Sequence, residues 1–120
     1  MKSIAIDFDG VVHKYSKGWH DGTIYDEPFE GAIEGIRSLM NNYYVFIFST
    51  RPPEEIVGWF YDRVFIGEQL FPFKKIPDDV VFWEEQLVLG VTNRKLPAVA
   101  YIDDRAFLFR DWEGVLHSFN

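Results

Sequence analysis

The chain has 120 residues, of which 48% are hydrophobic and 18% aromatic, with a net charge of −7 and no cysteine. That is chain for one domain with enough apolar material for a core, which excludes disorder, a disulfide framework, a thiolate metal site and a thiol nucleophile. Nineteen acids against twelve Lys and Arg repel a polyanion, so general DNA or RNA binding is not expected.

No stretch approaches the ~20 uncharged apolar residues that span a bilayer, and Asp7 comes too soon for a signal peptide. The expectation is a cytoplasmic single domain over residues 1–120, with no membrane partner. In chain order, Ser3 to Ile6 reads as a short buried strand ending at Asp7. Residues 11–25 are mixed, with turn signals at Gly18 and Asp21-Gly22, and predict a small hairpin or irregular loop. After Pro28, apolar residues at Phe29, Ala32, Ile33, Ile36, Leu39 and Met40 have helical spacing, which Asn41-Asn42 stops. Tyr43 to Phe48 is an unbroken apolar and aromatic run of strand type. Pro52-Pro53-Glu54-Glu55 then opens a helix that is expected to reach Val64 or Phe65.

Residues 66–90 carry the weakest pattern. A short helix capped by Asp78 or Asp79 and running to Glu84 is expected, then a strand over Leu87–Val91. Ala98 to Ile102 reads as another buried strand, ending at Asp103-Asp104. The aromatic tail, Phe107 to Phe119, is expected to pack on the sheet. Alternating strands and helices predict an α/β, Rossmann-like, mostly parallel sheet with helices on both faces.

In such sheets ligands bind beyond the carboxyl ends of the strands. Asp7 and Asp9 follow the first strand, Ser49-Thr50-Arg51 the second, and Asp103-Asp104 a later one. Carboxylates converging without basic partners repel, and a hard cation with open positions, Mg²⁺, resolves that. Ser49 or Thr50 at a helix start offers a hydroxyl and free N–H groups to a phosphate. Lys95 is the best-placed lysine to complete such a site, with Lys74 and Lys75 as alternatives.

Ile4 to Val11, an apolar strand followed by Asp-Phe-Asp-Gly-Val, resembles the first motif of haloacid-dehalogenase-like (HAD) phosphohydrolases. Phe46-Ile47-Phe48-Ser49 resembles their second motif, Lys95 stands for the third, and Tyr101-Ile102-Asp103-Asp104 for the fourth. The four occur in the family's order over residues 4–104. The resemblance implies a HAD-like fold and a phosphatase acting on a small-molecule phosphate monoester. Asp7 would be the nucleophile that forms an aspartyl-phosphate, Asp9 the general acid/base and Lys95 the catalytic lysine. Gly10, Ser49, Thr50 and Arg51 would bind phosphate; Asp7, the Asp9 carbonyl and Asp103 or Asp104 would hold Mg²⁺. Only residues 11–25 separate the first strand from the first helix, so a small flap takes the place of a large cap.

A response-regulator receiver is rejected by order, because its phosphoacceptor Asp belongs mid-chain, where Ser49-Thr50-Arg51 stands. The alternatives kept are a nucleotide or polynucleotide-end phosphatase, and a non-catalytic metal- or phosphoprotein-binding module on the same fold. His13, His20 and His117 are expected to be surface or packing residues. Tyr15 and Trp19 are expected to pack the flap on the core, with stacking on a base as the alternative.

Overall fold

The computed structural model describes residues 1–64 and 71–120. Its elements are β1 (Lys2–Ile6), α1 (Ala32–Met40), β2 (Tyr43–Phe48), α2 (Pro53–Trp59), β3 (Phe73–Lys75), β4 (Leu89–Thr92), β5 (Ala100–Ile102) and α3 (Trp112–Phe119). All strand pairs are parallel, in the order β3-β4-β2-β1-β5. The fold is α/β, compatible with a Rossmann-like architecture. Among the described residues, no helix is long and apolar enough to cross a membrane.

Strand alternation sorts the core into two layers. Ile4, Ile6, Val45, Ile47, Leu89 and Val91 face one side, where Ile36 and Met40 of α1 and Ile56 and Trp59 of α2 cover them. Ala5 and Phe46 face the other side, against Ile76, Trp83 and Leu96. The expectation of helices on both faces is therefore corrected: α1 and α2 share one face, and irregular chain covers the other. The short helix expected from Asp78 or Asp79 to Glu84 is absent, with a turn closed by the Val80 N–H on the Pro77 carbonyl in its place. Trp83 explains the difference. Its indole is buried and its Nε1–H donates to the Val88 carbonyl, while Ser3 Oγ donates to the Trp83 carbonyl. These bonds take the place of helical ones, and Val81 and Phe82 are left exposed.

Element ends also shift. Phe29 stays out of α1 because Gly31, with φ of 83°, is left-handed directly before Ala32; the Phe29 N–H instead donates to the Val12 carbonyl, tying the flap to the helix entry. α2 gives way after Trp59 to a wider π-type turn over Phe60–Val64, and Phe65 lies outside the described residues. β3 has no counterpart in the predicted elements; at three residues it is too short to carry a periodic signal. The strand expected at Leu87–Val91 begins at Leu89, because Leu87 has a φ of 62°.

The tail departs most. Asp111 caps α3 by accepting the Gly114 N–H at 2.8 Å, yet Leu108, Trp112, Leu116 and Phe119 are exposed and α3 buries no residue. Its rings pair among themselves, Phe107 with Phe119 and Phe109 with Trp112. The tail does not pack on the sheet as expected.

Gly90 lies in β4 on the Trp83 side, where an added Cβ would meet Ile76 Cδ1 and Trp83 Cε2 at 2.7 Å. Gly90→Ala is expected to lower stability by about 1–3 kcal/mol through overpacking. Gly58→Ala, in α2 with nothing within 4 Å of the new methyl, is expected to raise it by up to about 1 kcal/mol. Urea unfolding of both variants checks the pair; equal effects would contradict the packing described.

Candidate active site

The chain runs from β1 outward to β2, then returns at β5 on the other side of β1, so the strand order reverses between β1 and β5. Register places Ile6 opposite Ile102, and the Asp7 N–H donates to the Ile102 carbonyl at 2.9 Å. Asp7, Asp103 and Asp104 thus leave adjacent strands at one height. One carboxylate oxygen of each lies within 4.8 Å of the others. Among the described residues, no Lys or Arg side chain forms an ion pair with any of the three.

Asp7 is half-buried and its Oδ1 accepts the Phe8 N–H at 2.8 Å. Burial is the main reason its pKa rises from 3.8 to about 6; the charges of Asp103, Asp104 and Asp9 push the same way, against the Phe8 N–H. Gly10, with φ of 83°, turns the chain directly after Asp9. The Asp104 carboxylate rests against Gly10 so closely that a Cβ there would collide with it. Here the glycine is required both by its dihedral and by its neighbour.

Asp9 is held differently. Its Oδ1 is 2.8 Å from His13 Nδ1, and its Oδ2 accepts Arg51 Nε–H at 2.8 Å. His13 Nε2 accepts the Asp26 N–H at 3.0 Å, which assigns the ring proton to Nδ1 as donor to Asp9. His13 is fully buried against Phe8, Tyr25 and Trp59, so of the two expected places, surface or packing, it takes the second, and it adds the bond to Asp9. Arg51 is 2% exposed, donates from Nη1 to the Gly22 carbonyl, and lies with its guanidinium 4.5 Å from the Trp19 ring centroid. Its Nη2 is buried without a hydrogen-bond partner.

Ser49 is buried after β2, with its N–H on the Thr92 carbonyl and its Oγ accepting the Arg51 N–H at 3.2 Å. Ser49 and Thr50 line a cleft of about 310 Å³ together with Asp7, Asp9, Asp103, Asp104, Arg105, Phe48, Tyr15 and Trp19. Two other surface hollows of similar volume contain no cluster of three acids among the described residues.

The structure does not bring every predicted residue into the cleft. Lys95 is exposed, with its Nζ 5.3 Å from the Tyr101 ring centroid. Lys74 pairs with Glu85 and Lys75 with Glu54. None of the three lines the cleft. Burial of Leu96 in the second core layer fixes this stretch on the Tyr101 face, whose hydroxyl donates to the Leu96 carbonyl. Arg51 lies beneath the cleft rather than in its wall. Arg105 does line it, and the sequence signal for that was its place directly after the acid pair. Trp19 is 57% exposed at the cleft, so it does not pack on the core as expected.

Comparison with family models, with curated proteins and with solved structures finds no match for this chain.

The raised pKa of Asp7 sets a stability slope. Folded protein holds this proton more tightly than unfolded protein does between about pH 4 and about pH 6. Stability of the metal-free protein is therefore expected to fall as pH rises through that window. Asp7→Asn removes this contribution, so the variant is expected to be the more stable protein above pH 6, with the gap closing toward pH 4. Urea unfolding of both proteins across the window is the check; parallel curves would refute the environment described for Asp7.

Proposed function

We propose that this protein is a Mg²⁺-dependent hydrolase of phosphate monoesters, of the HAD-like type, working through an aspartyl-phosphate on Asp7. The observation that carries this reading is the uncompensated trio Asp7, Asp103 and Asp104 at the strand-order reversal, in one cleft with Asp9 and the Ser49 and Thr50 hydroxyls. The donor set is all oxygen and carries three negative charges without a basic side chain paired to them, which fits Mg²⁺. Asp7 and Asp103 or Asp104 would hold the ion with the Asp9 carbonyl. When bound, it supplies charge neutralisation for the carboxylates and the phosphate.

The chain's own residues then divide the chemistry. Oδ1 of Asp7 accepts the Phe8 N–H, which orients the carboxylate, and Oδ2 attacks phosphorus. The bond from phosphorus to the leaving oxygen breaks, and that oxygen takes a proton from the Asp9 carboxyl. A water next attacks phosphorus, its proton goes to the Asp9 carboxylate, and the bond to Asp7 breaks to release phosphate. Ser49 Oγ accepts the Arg51 N–H and so keeps its own proton to donate to a phosphate oxygen. Arg105 is the cleft's one Lys or Arg among the described lining residues, and offsets phosphate charge there in place of Lys95.

Purified protein is expected to hydrolyse an aryl phosphate with Mg²⁺ and to lose that activity in EDTA. Asp7→Asn should abolish turnover and form no phosphoenzyme. Asp9→Asn should still be phosphorylated by the aryl ester but stall before hydrolysis, losing about 10²–10⁴-fold in rate. Intact-protein mass spectrometry after an acid quench reads one added phosphoryl group on the second variant and none on the first. Full turnover in chelator, or an adduct on Asp7→Asn, refutes the assignment.

The exposed Trp19 ring beside Tyr15 at the cleft favours a planar leaving group such as a nucleoside. Trp19→Ala is expected to raise KM for a nucleoside monophosphate severalfold while leaving KM for a small alkyl phosphate unchanged. Equal changes for both esters, with a lower melting temperature, would assign Trp19 to packing instead.

A further inference from the structure

We propose that His13 and Arg51 are positioning residues that hold the Asp9 carboxylate in the orientation needed to take the proton from the hydrolytic water. The inference rests on the reading of Asp9 given above, and it assigns work to two residues outside the cleft wall.

A carboxylate on a one-carbon stem can turn about two bonds. Asp9 is stopped from doing so by donors arriving at both oxygens, His13 Nδ1–H at 2.8 Å and Arg51 Nε–H at 2.8 Å. Each oxygen keeps a further lone pair, so the grip fixes the group without using up its capacity to accept a proton. The donors are themselves locked. His13 has no exposed surface, stacks on Phe8 at 5.5 Å, meets Trp59 edge-on, and is anchored by the Asp26 N–H at Nε2. That last bond matters chemically, because it leaves the neutral ring only one tautomer, the one that donates to Asp9. Arg51 is anchored by the Gly22 carbonyl and covered by Trp19.

A purely structural role for these two residues would need less. Burying a guanidinium is costly, and here its Nη2 is buried without an acceptor, an additional cost. A flap held only for stability is secured as well by apolar contacts of the same volume. The arrangement makes sense if the orientation of Asp9 is what the cost secures, since a misplacement of about 1 Å can lower a rate by about 10²-fold.

Two substitutions at one position separate the roles. His13→Asn places an N–H where Nδ1 stood, keeping the donor to Asp9 but losing the acceptor for the Asp26 N–H. His13→Gln places an oxygen where Nε2 stood, keeping the flap anchor but losing the donor. With an aryl phosphate, His13→Gln is expected to hydrolyse its phosphoenzyme about 10–100-fold more slowly than wild type, with kcat/KM and the rate of phosphoenzyme formation little changed. His13→Asn is expected to recover part of that rate despite a lower melting temperature. Arg51→Lys, which keeps the charge but not the fork, should fall between wild type and Arg51→Met in the same step. Single-turnover rates of formation and loss of the adduct read these outcomes. Rates that follow melting temperature across the set, or a rise in KM with phosphoenzyme loss unchanged, overturn the positioning role and leave the proposed function standing. Wild-type protein that forms no adduct with Mg²⁺ overturns both, and is recognised before any variant is compared.

Discussion

Ile6 is in register with Ile47 on one side and Ile102 on the other, and this double parallel pairing of β1 decides which polar residues meet. A parallel sheet ends all its strands in the same direction, so residues that follow β1, β2 and β5 emerge at one edge. A slip of one residue at β5 would turn the faces over and separate Asp7 from Asp103 and Asp104. The contact that opposes such a slip, Tyr101 edge-on to Phe46 in the second core layer, lies in the core rather than at the site. The candidate site therefore depends on packing that touches none of its carboxylates.

Within that frame, two aspartates separated by one residue have opposite surroundings. Asp7 is half-buried among other acids, with a single backbone donor, and its pKa is pushed up to about 6. Asp9 meets a buried guanidinium and an imidazole N–H, one at each oxygen. The backbone produces this contrast. Gly10 turns the chain at a φ of 83°, and the N–H groups of Val12 and His13 return to the Phe8 carbonyl. That brings His13 back beside Asp9, four residues earlier in the chain.

The flap is the second structural debt of the site. Residues between β1 and α1 form no regular hairpin, yet they are closely tied: Ser16 to Asp26, Lys17 N–H to the Tyr25 hydroxyl, and Trp59 Nε1–H to the Asp26 carbonyl. The bonds from Ser16 and from the Glu27 N–H hold the Asp26 carboxyl well below the usual carboxylate range. Tyr15 and His20 adopt positive φ, of 60° and 52°, conformations that non-glycine residues hold only where surrounding contacts over-determine them. The outcome is a short cover that presents Tyr15 and Trp19 to the cleft while its inner side grips Arg51 and His13.

Sequence alone made the strands β1 and β2 legible, because unbroken apolar runs ending in acids or hydroxyls have few other interpretations; it placed β5 as well, but as a buried strand from Ala98, where the structure has an edge strand over Ala100–Ile102 with Ala100 and Ile102 exposed. It also gave the two helices that cover the core, through the spacing of Ile36 and Met40 and the Pro-Glu-Glu entry to α2. Asp7, Asp9, Ser49, Thr50, Asp103 and Asp104 were legible as a set for the same reason: each follows a strand, and strand ends in a parallel sheet share an edge. What the sequence left undetermined depends on long-range contacts with no local pattern. Nothing near Trp83 announces that it fills the second face in place of a helix, and nothing near Lys95 tells that Leu96 turns inward and leaves the lysine over Tyr101. The aromatic spacing of α3 reads as core, although its rings pair with one another and remain exposed. His13 and Arg51 lie 38 residues apart and meet only at Asp9. Side-chain partnership across such a separation is set by how the flap and the turn after β2 fold toward each other, and only the tertiary structure decides that.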